Sequence, residues 1–343
     1  MSRHNTLRNT LTYLYRRNRW MFDPSFYFSR LSGATKTPID IDRPIFLLGV
    51  QGGGLTLISR ILRRHEDVVS VSGSSDYWWG ADEMQNVFWS VLPADLAGIK
   101  YRYPDRTGFT KPRGWLYAID TLLPYYRKTD HDATPKLQQE FTHPIRWSLR
   151  RFGRATKHPR FTDKSQVFTL KILLIEKLIR DAGSAPKFVL ITRNPYALCY
   201  RSVKLPDEAP ELKAISQQQG FNTALDYAAQ HWANSMKTAL EDGKKVKHFY
   251  IMSFEDFLKK PEQQLKQLCN FLELSNHSIT AMLPREHHHI GLGLRPGNES
   301  KWYPLRADVN GRYLGELTQE HIDIVARHCE SIADGLGYKR PRV

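Results

Sequence analysis

The chain has 343 residues, room for one large α/β domain or two smaller ones, and its 41% hydrophobic and 12% aromatic content is ample for a core and argues against disorder. Lys and Arg total 50 against 35 Asp and Glu, a formal net charge of +15, which favours an anionic ligand (nucleotide, acidic glycan, lipid headgroup or nucleic acid) without choosing among them. No aromatic-interleaved RNA-binding signature or helix-turn-helix supports a nucleic-acid partner, no stretch reaches the length of a membrane span, no apolar N-terminal core suggests a signal peptide, and three widely spaced cysteines (Cys199, Cys269, Cys329) fit neither a metal site nor a disulfide framework, so a reducing, cytoplasmic setting is expected.

In chain order, residues 1–35 mix Arg8, Arg16, Arg17 and Arg19 with Tyr13, Tyr15, Trp20, Phe22, Phe26, Tyr27 and Phe28. An amphipathic helix packed on the domain is the plainer reading, and contact with a membrane surface or partner the sharper one. We therefore set residues 1–40 apart as a basic aromatic segment and 41–343 as a single domain. Ile45 to Val50 is a short, non-alternating apolar run bounded by Pro44 and glycines, the pattern of a buried parallel strand. Leu55, Ile58, Ile61 and Leu62 then share one helical face, and Gly52, Gly53 and Gly54 join strand to helix. Such a junction brings backbone N–H groups and a helix N-terminus to an anion. Against the pattern G-x-x-x-x-G-K-S/T, Gly49, Gly54 and Thr56 fit, but Leu55 stands in the lysine position. A triphosphate is therefore disfavoured. The alternative is a tight turn that binds nothing.

Val68 to Val71 reads as a second strand, broken by Ser72 to Ser75. Residues 91–160 are the least regular, with 98–115 and 128–160 read as loops or short helices forming an acceptor-binding insert. A helix is expected over Phe168–Ile179, a strand over Lys187–Thr192, a helix opening at Arg193-Asn194-Pro195, and another over 222–241. Phe249–Met252 reads as a strand, Pro261–Leu272 as an amphipathic helix, and Thr318–Leu336 as a last helix ending at Gly337. His287, His288 and His289 are adjacent, so they cannot all face one ion from a regular element; a surface cluster is favoured over a metal site. Alternating strands and helices indicate one three-layer α/β/α domain around a parallel sheet.

In such a sheet the glycine loop and Arg193 both lie at the carboxyl edge, where an arginine can face a phosphate held by a neighbouring loop. This pair resembles the sulfotransferases that use 3′-phosphoadenosine 5′-phosphosulfate (PAPS). Their first loop reads approximately G-x-P/Q-K/R-S/T-G-T/S-T/S-L/W, and here Gly49-Val50-Gln51-Gly52-Gly53-Gly54-Leu55-Thr56-Leu57. Their second motif, R-D/N-P before a helix bearing a serine, is Arg193-Asn194-Pro195 here, with Ser202 on the helix. Asp163-Lys164-Ser165-Gln166 is similar to their Lys-Thr/Ser-Pro/His segment, Phe249 to Phe257 to their late strand with acids, and Phe271-Leu272 and Gly337-Tyr338 fit their usual ending.

The resemblance covers about 44–90 and 160–338. It implies a P-loop-like fold, PAPS as co-substrate with no metal, and transfer of a sulfuryl group to a hydroxyl. It also implies that Gln51 and the backbone of Gly52 to Thr56 hold the 5′-phosphosulfate, while Arg193 with Ser202 or Arg201 holds the 3′-phosphate.

Three positions depart from the family's pattern. Gly52 replaces a Lys or Arg, for which Lys164, Lys171 or an arginine from 151–160 are candidate substitutes. Arg201 occupies the usual serine slot, one residue before Ser202. Gln166 stands where cytosolic members carry a catalytic histidine, so the base is sought after the second strand, at Glu83 ahead of Asp76, with Asp82 behind them; solvated loop acids are the alternative. The aromatic and basic mixture at 77–160 suits a sugar, especially an anionic glycan, with a lipid or phenolic acceptor as the alternative. Competing readings are a P-loop kinase and a degenerate protein of the same fold that binds nucleotide or acidic polymer.

Overall fold

The computed structural model describes residues 15, 18–31, 40–73, 82–97, 116–153, 156, 158–205, 210–285 and 304–342. Five strands form one sheet: β1 (Ile45–Leu48), β2 (Val68–Val69), β3 (Arg160–Asp163), β4 (Lys187–Thr192) and β5 (Phe249–Ser253), in the order β2-β3-β1-β4-β5. Every pairing is parallel, with Ile45 opposite both Thr162 and Lys187, and Phe188 opposite Phe249. Ten helices of more than one turn are placed among the described residues: α1 (Pro24–Leu31), α2 (Leu55–Leu62), α3 (Pro135–Phe152), α4 (Ile172–Asp181), α5 (Pro195–Lys204), α6 (Pro210–Gln219), α7 (Phe221–Gly243), α8 (Phe254–Lys259), α9 (Pro261–Leu272) and α10 (Gln319–Gly335).

The sheet separates two apolar cores because successive side chains point to opposite faces. Phe46, Leu48, Phe188 and Leu190 join the core built with α3, α4, α7 and α10, where Phe46 stacks against Phe188 and Phe141. Ile45, Leu47, Val189 and Ile191 join the other core, with α2, α8 and α9. The result is the expected three-layer α/β/α arrangement. Trp20 and Phe26 of the N-terminal segment are buried against Phe88 and Trp147 of α3, and Trp20 Nε1 donates to Val87 O at 2.9 Å.

Several expectations are corrected. β1 stops at Leu48 and β2 at Val69, each two residues short of the apolar run, because their ladders end there. β3 was not expected as a strand at all. Residues 128–160 hold not loops or short helices but the 18-residue α3, capped by Thr134 Oγ1 on Leu137 N and opened by Pro135. The helix expected from Phe168 begins as a 3-10 turn, Gln166–Leu170, and becomes α4 at Ile172. α6 and α8 are additional. Residues 98–115, Asp76 and the three adjacent histidines lie outside the described residues. Among the described residues no helix is long and apolar enough to cross a membrane.

Candidate active site

The chain leaves β1 toward β2 on one side and β4 toward β5 on the other. The crevice between the carboxyl ends of β1 and β4 is thus the switch point at which open α/β sheets bind ligands. The glycine loop occupies it. Gly49, Gly52 and Gly54 have φ of +144°, +79° and +100°, a left-handed backbone region that L side chains avoid, and Gly53 N donates to Val50 O at 3.0 Å to close the turn. Gly54 is also needed for space: a β-carbon there would sit 2.2 Å from the ring of Phe254, the first residue of α8. Thr169 Oγ1 bonds both Gly49 N and Gly49 O, at 2.9 and 3.1 Å, and so fastens the start of the loop to the segment after β3. Leu55 is buried and faces the core, so its side chain takes no part in the loop surface.

Arg193 follows β4 directly beside this loop. Its Nη1 donates to Gly52 O at 2.7 Å, its Nε donates to Asn310 Oδ1 at 2.9 Å, and the guanidinium lies 5.4 Å from the Phe254 ring centroid. Asn310 Nδ2 in turn donates to Glu255 Oε1 at 2.6 Å, which also accepts from Asn194 N. Tyr338 OH donates to Glu255 Oε2 at 3.1 Å and bonds Thr192 Oγ1 at 2.8 Å. Arg193 is thereby held from behind by the start of α8, by Asn310 and by the residue after Gly337. Asn310 was missed in the sequence, where nothing local marks it, and Phe254, within the segment matched to the family's late strand, was given no role there; only long-range contacts bring them to the loop.

Two residues of α5 border the same place. The Arg201 guanidinium faces Gly52, and a β-carbon on that glycine would lie 2.8 Å from Arg201 Nη1. Ser202 Oγ donates to Leu198 O at 2.9 Å within the helix, and Ser202 lines a small cavity with Gln51, Val50, Leu198, Glu211 and His231. Pro195 at the first turn and the Asn194 side chain, which accepts from Ala197 N at 3.2 Å, start the helix where these residues need it.

One strand over, the structure brings Glu83 and Lys164 together. Lys164 Nζ donates to Glu83 and lies 3.3 Å from Asp82 Oδ1; Glu83 also accepts from Asn86 and, at 3.2 Å, from Gln85. All three charged groups are buried. Burial works against charge on Asp82, yet Lys164, Arg63 and Arg60 with Ser59 Oγ hold its carboxyl below the ordinary range. Burial likewise opposes charge on Lys164, and Asp82 and Glu83 outweigh it. Asp163, at the end of β3, is pushed up to about 7 by burial although Met84 N and Ser165 N both donate to it at 2.6 Å. Gln166 Oε1 is buried with no hydrogen-bond partner.

Of the other candidate cations, Arg154 lies outside the described residues, and Lys171 and Arg160 are held by backbone carbonyls. Lys171 Nζ donates to Asp95 O and Leu96 O, and burial lowers it to about 7. Arg160 opens β3 at the amino edge and donates to Arg43 O and Leu272 O. Among the described residues no group of His, Cys, Asp and Glu is arranged to hold a metal.

The profile of the Sulfotransferase family matches residues 44–278. No curated protein matches the sequence. Among solved structures, the sulfotransferase STF9 from Mycobacterium avium superposes with a TM-score of 0.50 at 12% identity, over 99% of this chain and 86% of that one, a likeness of fold. The sulfotransferase domain of the Synechococcus PCC 7002 olefin synthase gives 0.43 at 15% identity, over 88% of this chain and 98% of that domain. A sulfotransferase from Alicyclobacillus acidocaldarius gives 0.43 at 15%, over 87% and 98%.

Proposed function

The chain belongs to the Sulfotransferase family, and from that premise we propose that it moves a sulfuryl group from PAPS to a hydroxyl, with a carbohydrate as the acceptor class. The observation that supports the donor assignment is the 2.7 Å bond from Arg193 to Gly52 O, which joins the ends of β1 and β4 at one rim. Gln51 and the backbone of Gly52 to Thr56 hold the 5′-phosphosulfate at the start of α2. Arg193 and Ser202 take the 3′-phosphate, with Arg193 fixed for that task by Asn310 and stacked on Phe254.

Glu83 takes the proton of the acceptor hydroxyl as its oxygen attacks sulfur. The bond from sulfur to the bridging oxygen breaks in line, and its electron pair stays on the departing 5′-phosphate. Lys164 orients Glu83 through its hydrogen bond, and Gln166 Oε1, buried and unpartnered, offers an acceptor for a second hydroxyl of the substrate. Asp76 is the alternative base. Residues 41–343 form the catalytic domain, with 1–40 packed on it and the acceptor recognised by the insert at about 91–160. Three buried free thiols suit a cytoplasmic setting.

Calorimetric titration with 3′-phosphoadenosine 5′-phosphate (PAP) tests the donor site. Wild type is expected to bind and Arg193→Ala to bind about 10- to 100-fold more weakly, from the loss of charge-assisted bonds of about 1.5–3 kcal/mol. Absence of binding, or equal binding by the variant, refutes the reading. Binding without product from PAPS and a glycan panel would favour the degenerate binder, and magnesium-dependent ATP binding a kinase.

A further inference from the structure

The glycine loop carries no cation of its own, yet the space above Gly52 is not vacant. A β-carbon on Gly52 would meet Arg201 Nη1 at 2.8 Å, Leu198 Cγ at 3.9 Å and Arg201 Cζ at 4.0 Å. The guanidinium thus occupies the volume into which a side chain at residue 52 would grow. A bulky residue at 52 and Arg201 in this position exclude one another, and the φ of +79° adds a second reason for glycine there.

Among the described residues, the cations named above have these partners. Arg193 spends Nη1 on Gly52 O and Nε on Asn310. Lys164 is engaged by Asp82 and Glu83, Lys171 by two backbone carbonyls, and Arg160 lies at the opposite edge of the sheet. Arg201 reaches the loop from the last turn of α5, a helix anchored at its start by Asn194 next to Arg193.

We propose that Arg201 is a catalytic residue, supplying from helix α5 the positive charge that the loop lacks at Gly52. This rests on the donor reading above. As the S–O bond breaks, the bridging oxygen keeps the electron pair and gains negative charge, while the sulfuryl group passes to the acceptor oxygen. Arg201 donates to that oxygen through Nη1. Because this charge grows only as the bond breaks, the arginine acts on turnover more than on ground-state binding. Its role differs from that of Arg193, which serves the 3′-phosphate.

The test compares wild type, Arg201→Ala and Arg201→Lys by calorimetry with PAP and with 5′-AMP. Release of PAP from PAPS, with water as sulfuryl acceptor, gives the rate. Thermal unfolding checks the fold, and Arg201→Lys keeps the test decisive if the alanine variant is unstable. Arg201→Ala is expected to lower the saturated rate by about 100- to 1,000-fold, the usual effect of removing one such donor. The ratio of PAP to AMP affinity should stay within about threefold, and Arg201→Lys should turn over at an intermediate rate. An unchanged rate, or an affinity ratio that collapses because the 3′-phosphate is no longer felt, overturns the proposal. Wild type that binds PAP but releases none from PAPS overturns it as well. If wild type binds neither nucleotide, the donor reading itself fails, a result distinct from normal binding with an insensitive Arg201.

Discussion

Replacing Gly54 with alanine probes how the loop and Arg193 depend on one another. The added β-carbon would sit 2.2, 2.4 and 2.8 Å from three ring atoms of Phe254, all inside van der Waals contact, and residue 54 has φ +100°. A left-handed alanine costs about 1–2 kcal/mol, and overpacking a filled site about 1–3 kcal/mol, so the fold should lose about 2–5 kcal/mol. At roughly 2.1 cal/mol/K of unfolding entropy per residue, each kcal/mol is worth about 1.4 °C in a chain of this length, giving a fall in Tm of about 3–7 °C. Phe254 also carries the Arg193 guanidinium on its face, so a displaced ring should weaken PAP binding with no direct contact to ligand. The assay is a double-mutant cycle with Phe254→Ala, read by thermal unfolding and by calorimetry. If the ring is the obstacle, Gly54→Ala should be milder in the Phe254→Ala background by about 1–3 kcal/mol, leaving only the backbone strain. Strictly additive effects, or a single variant with unchanged Tm, would refute the reasoning.

Three further outcomes are expected. Burial lowers His231 to about 3, so the folded chain keeps it neutral while the unfolded chain protonates it near its ordinary value of 6.5. Stability is complete above pH 6.5 and falls by up to about 1.4 kcal/mol per unit as pH drops toward 3; a His231→Phe variant should lose that component of a Tm-against-pH curve, and parallel curves would contradict it. Glu83→Gln should cut PAP release from PAPS at every pH and destabilise the fold by about 1.5–3 kcal/mol, the worth of one charged hydrogen bond, since Lys164 keeps Asp82 as a partner, whereas full activity would remove Glu83 from the mechanism. Trp20→Ala should cost about 3–5 kcal/mol, because that ring is buried against Phe26 and Phe88; an unchanged Tm would detach the N-terminal segment from the domain.

The strands legible in the sequence were the apolar ones. β1 and β4 are short hydrophobic runs, and their pairing places the glycine loop beside Arg193, as the two motifs imply. β3 escaped because its buried surface is polar: Arg160 is satisfied by the carbonyls of Arg43 and Leu272, and Asp163 by the N–H groups of Met84 and Ser165. All of those partners but Ser165 lie far along the chain, so composition alone reads the segment as loop. α3 was hidden by Pro144 within it, although Thr134-Pro135 is a usable start signal. Glu83 and Lys164 were each visible as candidates, but their buried pairing depends on Asp82 running beside the end of β3, where Lys164 N donates to Asp82 O at 3.0 Å.

The chain of bonds from Tyr338 through Glu255 and Asn310 to Arg193 has a temporal meaning. A polypeptide emerging from the ribosome exposes its glycine bend early, yet the brace that aims the rim arginine is completed only after residue 338 has been translated. Chains cut before residue 338 should therefore be poor nucleotide captors.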